Sequence, residues 1–329
     1  MKKNQHIIIG VIVVILIGVL VFASFNTEQD HEDGHDHDHD HEGTDPHIWL
    51  SPENFEKMAE VVYNGLVDIN SSEKIGVLVT IVPQAEMVEF IGGENVDVTI
   101  MVPAGQDPHT FEPTPEQMVK VAEATAYFKV GSGVEFEVIH MDTILEQNPD
   151  LKVFDCSEEI TVISFDEHYG IEAHHDEDHD HEHGEDHDHK GETDSDHQNK
   201  YYANYQAYVS KLDDLHTNVS NLLQPYDGRS FMVYHPAWGY FGDSYNLTII
   251  AIEDEGKQPG PAGINAMISQ AKEENITVVF VAPQFDTSSA VTIADEIDGN
   301  VVFANPLMSN YEETITKLSE DMVTGFQNS

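Results

Sequence analysis

The sequence predicts an α/β protein: two lobes of parallel sheet flanked by helices and joined by one long linking helix. Three observations carry this. Short apolar runs rich in β-branched residues alternate with amphipathic stretches on both sides of the chain's middle, as parallel strands covered by helices require. The segment YYANYQAYVSKLDDLHTNVSNLLQPY keeps apolar residues at helical spacing for about seven turns and stops at Pro225. Between the halves lies a tract, HHDEDHDHEHGEDHDHKGETDSDH, too poor in hydrophobes to enter either core.

Taken in order, residues 1–29 begin MKKNQH and continue as an uncharged apolar run from Ile7 to Phe25, long enough to cross a bilayer as a helix. Lys2 and Lys3 precede it and acids follow, which orients the rest of the chain outward. A retained anchor is favoured over a cleaved signal, because the run exceeds a usual signal core and no small-x-small site follows. No cysteine stands there to carry a lipid. Residues 30–44 form a His/Asp-rich tether, and residues 45–73 hold DPHIWLSP followed by a helix over Glu53 to Val67. Residues 74–170 are the first lobe: KIGVLVTIVPQAEMVEFIGG is a strand and helix, VDVTIMVP the next strand, and TPEQMVKVAEATAYFKVGSG a helix and a third strand. Residues 171–199 are the His/Asp/Glu-rich loop, 200–227 the linking helix and 228–329 the second lobe. In that last lobe RSFMVYH, LTIIAIED, ITVVFVAP and NVVFANP are strands, with helices at PAGINAMISQAKEE, TSSAVTIADEI and SNYEETITKLSEDMVTGF.

The composition narrows the partners. There are 61 acidic against 14 basic residues, a net charge of -47, so the surface repels nucleic acid and anionic head groups and favours cations. The single cysteine, Cys156, excludes an intramolecular disulfide framework and reads as a buried, inert thiol at a strand end. Four Asn-x-Ser/Thr sequons, at Asn70, Asn218, Asn246 and Asn275, are compatible with an extracytoplasmic chain and prove nothing.

Three histidines stand apart from the tracts: His47 in DPHIWLSP, His109 in GQDPHTFEP and His235 in VYHPAWGYF. A lone histidine beside proline is ordinarily a loop residue bonded to backbone. Three of them in proline-stiffened loops, with His109 and His235 just beyond strands where α/β lobes bind ligands, point to a transition metal held by nitrogen, zinc first. Trp49, Phe111, Trp238, Tyr240 and Phe241 are placed to wall such a site or to be ordinary core. In the tracts, His35, His37, His39, His41, His175, His179, His181, His183, His187 and His189 offer many weaker metal sites. No nucleophile elbow or CxxC is present, and the HEDGH match to HExxH at His31–His35 falls inside the low-complexity tether, not on a predicted helix, which argues against a zinc hydrolase or another enzyme.

The motifs MVPAGQDPHTFEPTP, DPHIWLSPENFEKMAE, VYHPAWGYFGDSYNLTIIAIEDEGKQPGP and FVAPQFDTSSAVTIADEI give the chain a resemblance to a known family. It resembles the zinc-binding extracytoplasmic subunits of ABC-type metal importers, in the zinc/manganese adhesin-like group of solute-binding proteins, from Asp45 to the C-terminus. The resemblance implies two α/β lobes bridged by a long helix, and metal coordination by His47, His109 and His235. It implies zinc rather than manganese as cargo, since His235 stands where manganese-preferring members usually carry a carboxylate. It also implies an ABC permease with its ATPase as partners, and a location outside the membrane. A stand-alone surface metal buffer is the alternative.

Three departures qualify the resemblance. Asn305 in VVFANPL stands where members often carry a liganding aspartate, leaving the fourth position to water or to the amide oxygen of Asn305. Ala282 in VAPQFD replaces a common glutamate, with Asp286 a nearby substitute or a solvent-facing acid. The DPHIWLSP segment precedes the first lobe, whereas in relatives it follows the His-rich loop. It is therefore expected to dock back in its own chain, to dock on a neighbouring chain, or to remain an undocked stalk that leaves a two-histidine site.

Overall fold

The computed structural model describes residues 44–164, 195–253 and 257–328. The apolar run at Ile7–Phe25 and the ten histidines named above as weaker metal sites lie outside these residues. Among the described residues no helix is long and apolar enough to cross a membrane.

The first sheet contains β1 (Ile75–Val79), β2 (Val96–Ile100), β3 (Ala126–Lys129) and β4 (Lys152–Asp155), in the order β2-β1-β3-β4. The second contains β5 (Ser230–Val233), β6 (Thr248–Ala251), β7 (Val278–Val281) and β8 (Asn300–Phe303), in the order β6-β5-β7-β8. Every pairing is parallel: Val77 faces Val98 on one side and Ala126 on the other, and Val233 faces Ala251 and Phe280. Parallel neighbours need crossover connections, and helices supply them. The central strands IGVLV and SFMV are nearly continuous apolar runs because both faces are covered, while the edge strands β4 and β8 are partly exposed.

Helix α1 (Pro52–Ile69) starts where the Ser51 hydroxyl accepts from the Asn54 amide, with Pro52 at its first position. Phe55, Met58, Ala59, Val62 and Leu66 recur on one face and are buried, several of them fully. Asn70 closes the helix in the left-handed region at φ 44°. Asn246 and Asn275 adopt the same conformation at φ 48° and 54°, so three of the four sequon asparagines have a backbone reason to be asparagine. The crossover helices of the first lobe are α2 (Val82–Gly92), α3 (Pro115–Glu123) and α4 (Glu135–Gln147).

The linking helix α5 spans Ser195–Leu223, so residues 195–199, expected in the loop, form its first turn. Pro225 lies in the 3₁₀ turn Gln224–Tyr226 that ends it. Tyr201, Tyr208, Leu212, Leu215, Val219 and Leu223 are its buried face. The helix packs on α1, on α2 and on the last helix, α9 (Tyr311–Gln327), and so bridges the lobes. The second lobe is completed by α6 (Gly239–Ser244), α7 (Pro261–Glu273) and α8 (Ser288–Glu296).

The early segment packs between the lobes of its own chain. Its 3₁₀ turn, Ile48–Leu50, is buried at all three residues. Trp49 Nε1 donates to the Pro306 carbonyl at 2.8 Å, the Tyr311 hydroxyl donates to the Trp49 carbonyl at 2.9 Å, and Phe55 stacks on Tyr311 at 4.0 Å. On the first-lobe side the Ser132 hydroxyl donates to the Pro46 carbonyl and the Asp45 amide donates to the Ile163 carbonyl.

Candidate metal centre

Each site histidine comes from a different structural source. His47 stands at the start of the 3₁₀ turn, His109 in the loop after β2, and His235 two residues beyond β5. All three lie at the carboxyl-end side of the sheets, where crossover loops leave a cleft. The loops are braced locally: Asp107 accepts from the His109 amide at 3.0 Å, and Asp45 accepts from the His47 amide at 2.9 Å.

The structure brings the three rings together. One donor atom from each of His47, His109 and His235 lies within 4.8 Å of the other two. Ring centroids are 6.4 Å apart for His47–His109, 5.4 Å for His47–His235 and 5.3 Å for His109–His235. Tetrahedral zinc with Zn–N near 2.0–2.1 Å needs donors about 3.4 Å apart, so the rings must close by at most about 1.4 Å. That is within the reach of side-chain rotation.

A carboxylate stands behind every ring. Asp45 Oδ1 is 2.7 Å from His47 Nδ1, Glu135 Oε2 is 2.7 Å from His109 Nδ1, and Glu253 Oε1 is 3.4 Å from His235 Nδ1. The hydrogen bonds of His47 to Asp45 and of His235 to Glu253 select the tautomer with hydrogen on Nδ1 and leave the Nε2 lone pair for a metal, while His109 and Glu135 stand at ion-pair distance. Burial lowers the His47 pKa despite the opposing Asp45 charge, which favours a neutral ring. Burial also pulls at His109, but the hydrogen bond and charge of Glu135, with Asp107 and Glu253 behind it, outweigh it and raise its pKa. Burial pushes the Glu135 carboxyl up, and contact with His109 more than reverses that.

The aromatic residues divide. Trp49 meets His47 edge-on at 5.2 Å, and the Tyr240 hydroxyl donates to the Asp45 carbonyl at 3.1 Å. Trp238 and Phe241 are buried against each other, and Phe111 packs toward Phe136. Phe285 had no part in the sequence reading, yet its ring stacks on His235 at 4.6 Å.

Asn305 bonds within its own turn. Its amide donates to the Leu307 carbonyl at 3.2 Å and accepts from the Leu307 amide at 3.0 Å, closing a turn on itself. Asp286 is exposed and accepts from the Ser288 amide at the start of α8. Cys156 is buried, and burial raises its thiol pKa far above the ordinary range, as an inert thiol requires. The carboxylates Asp45, Glu135 and Glu253 were not read from the sequence. Among 61 acids only position marks them: Asp45 two residues before His47, Glu135 at a helix start and Glu253 at a strand end.

Comparison with known proteins gives the family and the fold. The chain matches the family described as "ZnuA: Zinc-uptake complex component A periplasmic" over residues 11–75, 77–191 and 187–326. It is similar to the manganese-binding lipoprotein MntA of Halalkalibacterium halodurans, at 27% identity over 220 residues, 64% of this chain and 72% of that protein. It is similar to the high-affinity zinc uptake system protein ZnuA of Bacillus subtilis, at 24% over 275 residues, 78% of this chain and 84% of that protein. The zinc-binding lipoprotein AdcA of Streptococcus pneumoniae matches at 22% over 268 residues, 76% of this chain; the chain spans about half of that relative, 53%. A crystal structure of ZnuA aligns with a TM-score of 0.64 at 30% identity, covering 77% of this chain and 99% of that one. The Zn(II)-bound ZnuA-like domain of S. pneumoniae AdcA aligns at a TM-score of 0.58 and 18% identity over 77% of this chain and 98% of that one, a likeness of fold alone. By the extent of the family match, the chain is a member of the ZnuA family, the periplasmic component A of zinc-uptake complexes.

Proposed function

We propose that the protein captures zinc outside the membrane and delivers it to an ABC-type permease driven by its ATPase. One observation carries the reading: three imidazole donors converge within 4.8 Å, each with its Nδ1 turned to a carboxylate. Neutral nitrogen donors suit zinc better than manganese, whose preference runs to oxygen. The relatives include proteins named for zinc and one named for manganese, so selectivity belongs in the test. Convergent imidazoles in a chain of a zinc-uptake family support a carrier.

Around this site, His35, His37, His39, His41, His175, His179, His181, His183, His187 and His189 act as weaker collectors that raise the local zinc concentration. The run Ile7–Phe25 anchors the chain at the membrane surface. Zinc titration against a chelator, with manganese as competitor, tests the reading. H47A, H109A and H235A each lose the tight site, while deleting residues 175–189 lowers total zinc capacity and leaves the tight site intact. Tight binding that survives H109A, or disappears with the tract, overturns the assignment.

A further inference from the structure

The carboxylates do not hold the three rings equally. Asp45 holds His47 by a hydrogen bond of 2.7 Å and Glu135 meets His109 as an ion-pair contact at 2.7 Å, whereas the hydrogen bond from His235 Nδ1 to Glu253 is 3.4 Å long. At that separation a hydrogen bond is weak and orients its donor poorly. His47 is further fixed by burial and by Trp49. His235 has Phe285 instead: the two rings stack at 4.6 Å with an interplanar angle of 28°.

Phe285 is itself well placed to act as a fixed wall. It follows β7 in a closed turn, its amide donating to the Ala282 carbonyl at 3.1 Å. Asp286, the next residue, accepts from the Ser288 amide at 2.7 Å and ties the turn to α8. Behind it, the buried Tyr234 ring lies 5.8 Å away. An imidazole bound to a divalent metal carries part of the ion's charge, and the negative face of a phenyl ring favours that state over the neutral ring.

We propose that Phe285 is a positioning residue for metal binding: it fixes the ring plane of His235, which its distant carboxylate cannot fix alone, and thereby slows metal release. The proposal rests on the metal reading of the three-histidine site. Leucine in its place keeps apolar bulk and removes the aromatic face, whereas tyrosine keeps the face.

The test compares the full chain with its F285L, F285Y and H109A variants. It measures zinc affinity by chelator competition, zinc release into excess chelator, the visible spectrum of the Co²⁺-loaded protein, and melting without metal. F285L is expected to bind zinc roughly three- to tenfold more weakly, through faster release, as the strength of an aromatic pair implies. Its cobalt bands broaden because His235 takes more than one orientation, and its metal-free melting stays at the wild-type value. F285Y keeps wild-type affinity and spectrum. Wild-type release and spectrum in F285L overturn the proposal, as does an F285Y variant that melts normally but releases zinc as F285L does. H109A separates the two levels of argument: its loss of tight binding upholds the site, while wild-type binding there overturns the site and this proposal together.

Discussion

Replacing Asp45 with asparagine isolates what a buried carboxylate contributes to the histidine in front of it. Asp45 is fully buried, and its Oδ1 accepts from both the His47 ring and the His47 amide, at 2.7 and 2.9 Å. The D45N side chain has the same shape and retains an oxygen for both bonds, but it loses the charge that makes the ring bond strong and raises the basicity of Nε2. Loss of such a partner typically weakens metal binding about 10- to 100-fold; a midpoint of about 30-fold corresponds to roughly 2 kcal/mol. At saturating zinc that same energy is missing from the folded state, so the rise in melting temperature on adding zinc shrinks by about 4 °C. The metal-free protein does not lose stability to match, because a buried charge with one unpartnered oxygen, Oδ2, has been removed. Differential scanning calorimetry with and without zinc, paired with chelator competition, reads both quantities. Zinc affinity within about twofold of wild type, or an equal drop in stability with and without zinc, refutes the reasoning.

Three further outcomes are expected. Zinc affinity rises with pH: because His109's pKa is raised, its pair with Glu135 stabilises the metal-free fold fully below the ordinary histidine value near 6.5, and that contribution fades as pH rises through the folded value. Zinc competes with that proton over the same range, so a flat affinity profile between about pH 5.5 and 8 contradicts the assignment. G65A destabilises the chain, since the new Cβ falls 2.6 Å from Phe128 Cε1; overpacking of about 1–3 kcal/mol outweighs the roughly 1 kcal/mol gained in helix propensity, as urea denaturation will register. E137A is more severe, by about 3 kcal/mol or more in the same assay, because it strands the Val130 and Gly131 amides that its buried carboxylate satisfies and leaves the Thr80 hydroxyl only Tyr127.

The parallel strands were legible because KIGVLV, SFMV and ITVVFV are apolar runs of strand length, which burial on both faces demands. The site histidines were legible for another reason: proline and aromatic neighbours set them apart from the tract histidines. Helix α4 and strand β4 were not picked out beyond the strand end at Cys156. In EFEVIHMDTILEQ the pattern is inverted, with Glu137 buried beneath three hydrogen-bond donors while Val138 and Ile139 face solvent. No hydrophobic period survives that. The turn that Asn305 closes with Leu307 was not legible, because an asparagine side chain that bonds its own turn looks, in sequence, the same as one that is free. The docking of the Asp45–Ile69 segment was undetermined because it depends on contacts more than 250 residues away, such as Trp49 with Pro306.

That separation governs when the protein becomes competent. His47 precedes both other site histidines in the chain, yet its turn is pinned through Trp49 by Pro306 and Tyr311, 257 and 262 residues beyond that tryptophan. Contacts so distant in sequence close late, after the loops between them have been ordered. A chain emerging N-terminus first therefore presents His47 early but cannot lock it until α9 begins to appear. Cargo binding thus waits on residues beyond Pro306, and the first ligand to be made is the last to be fixed.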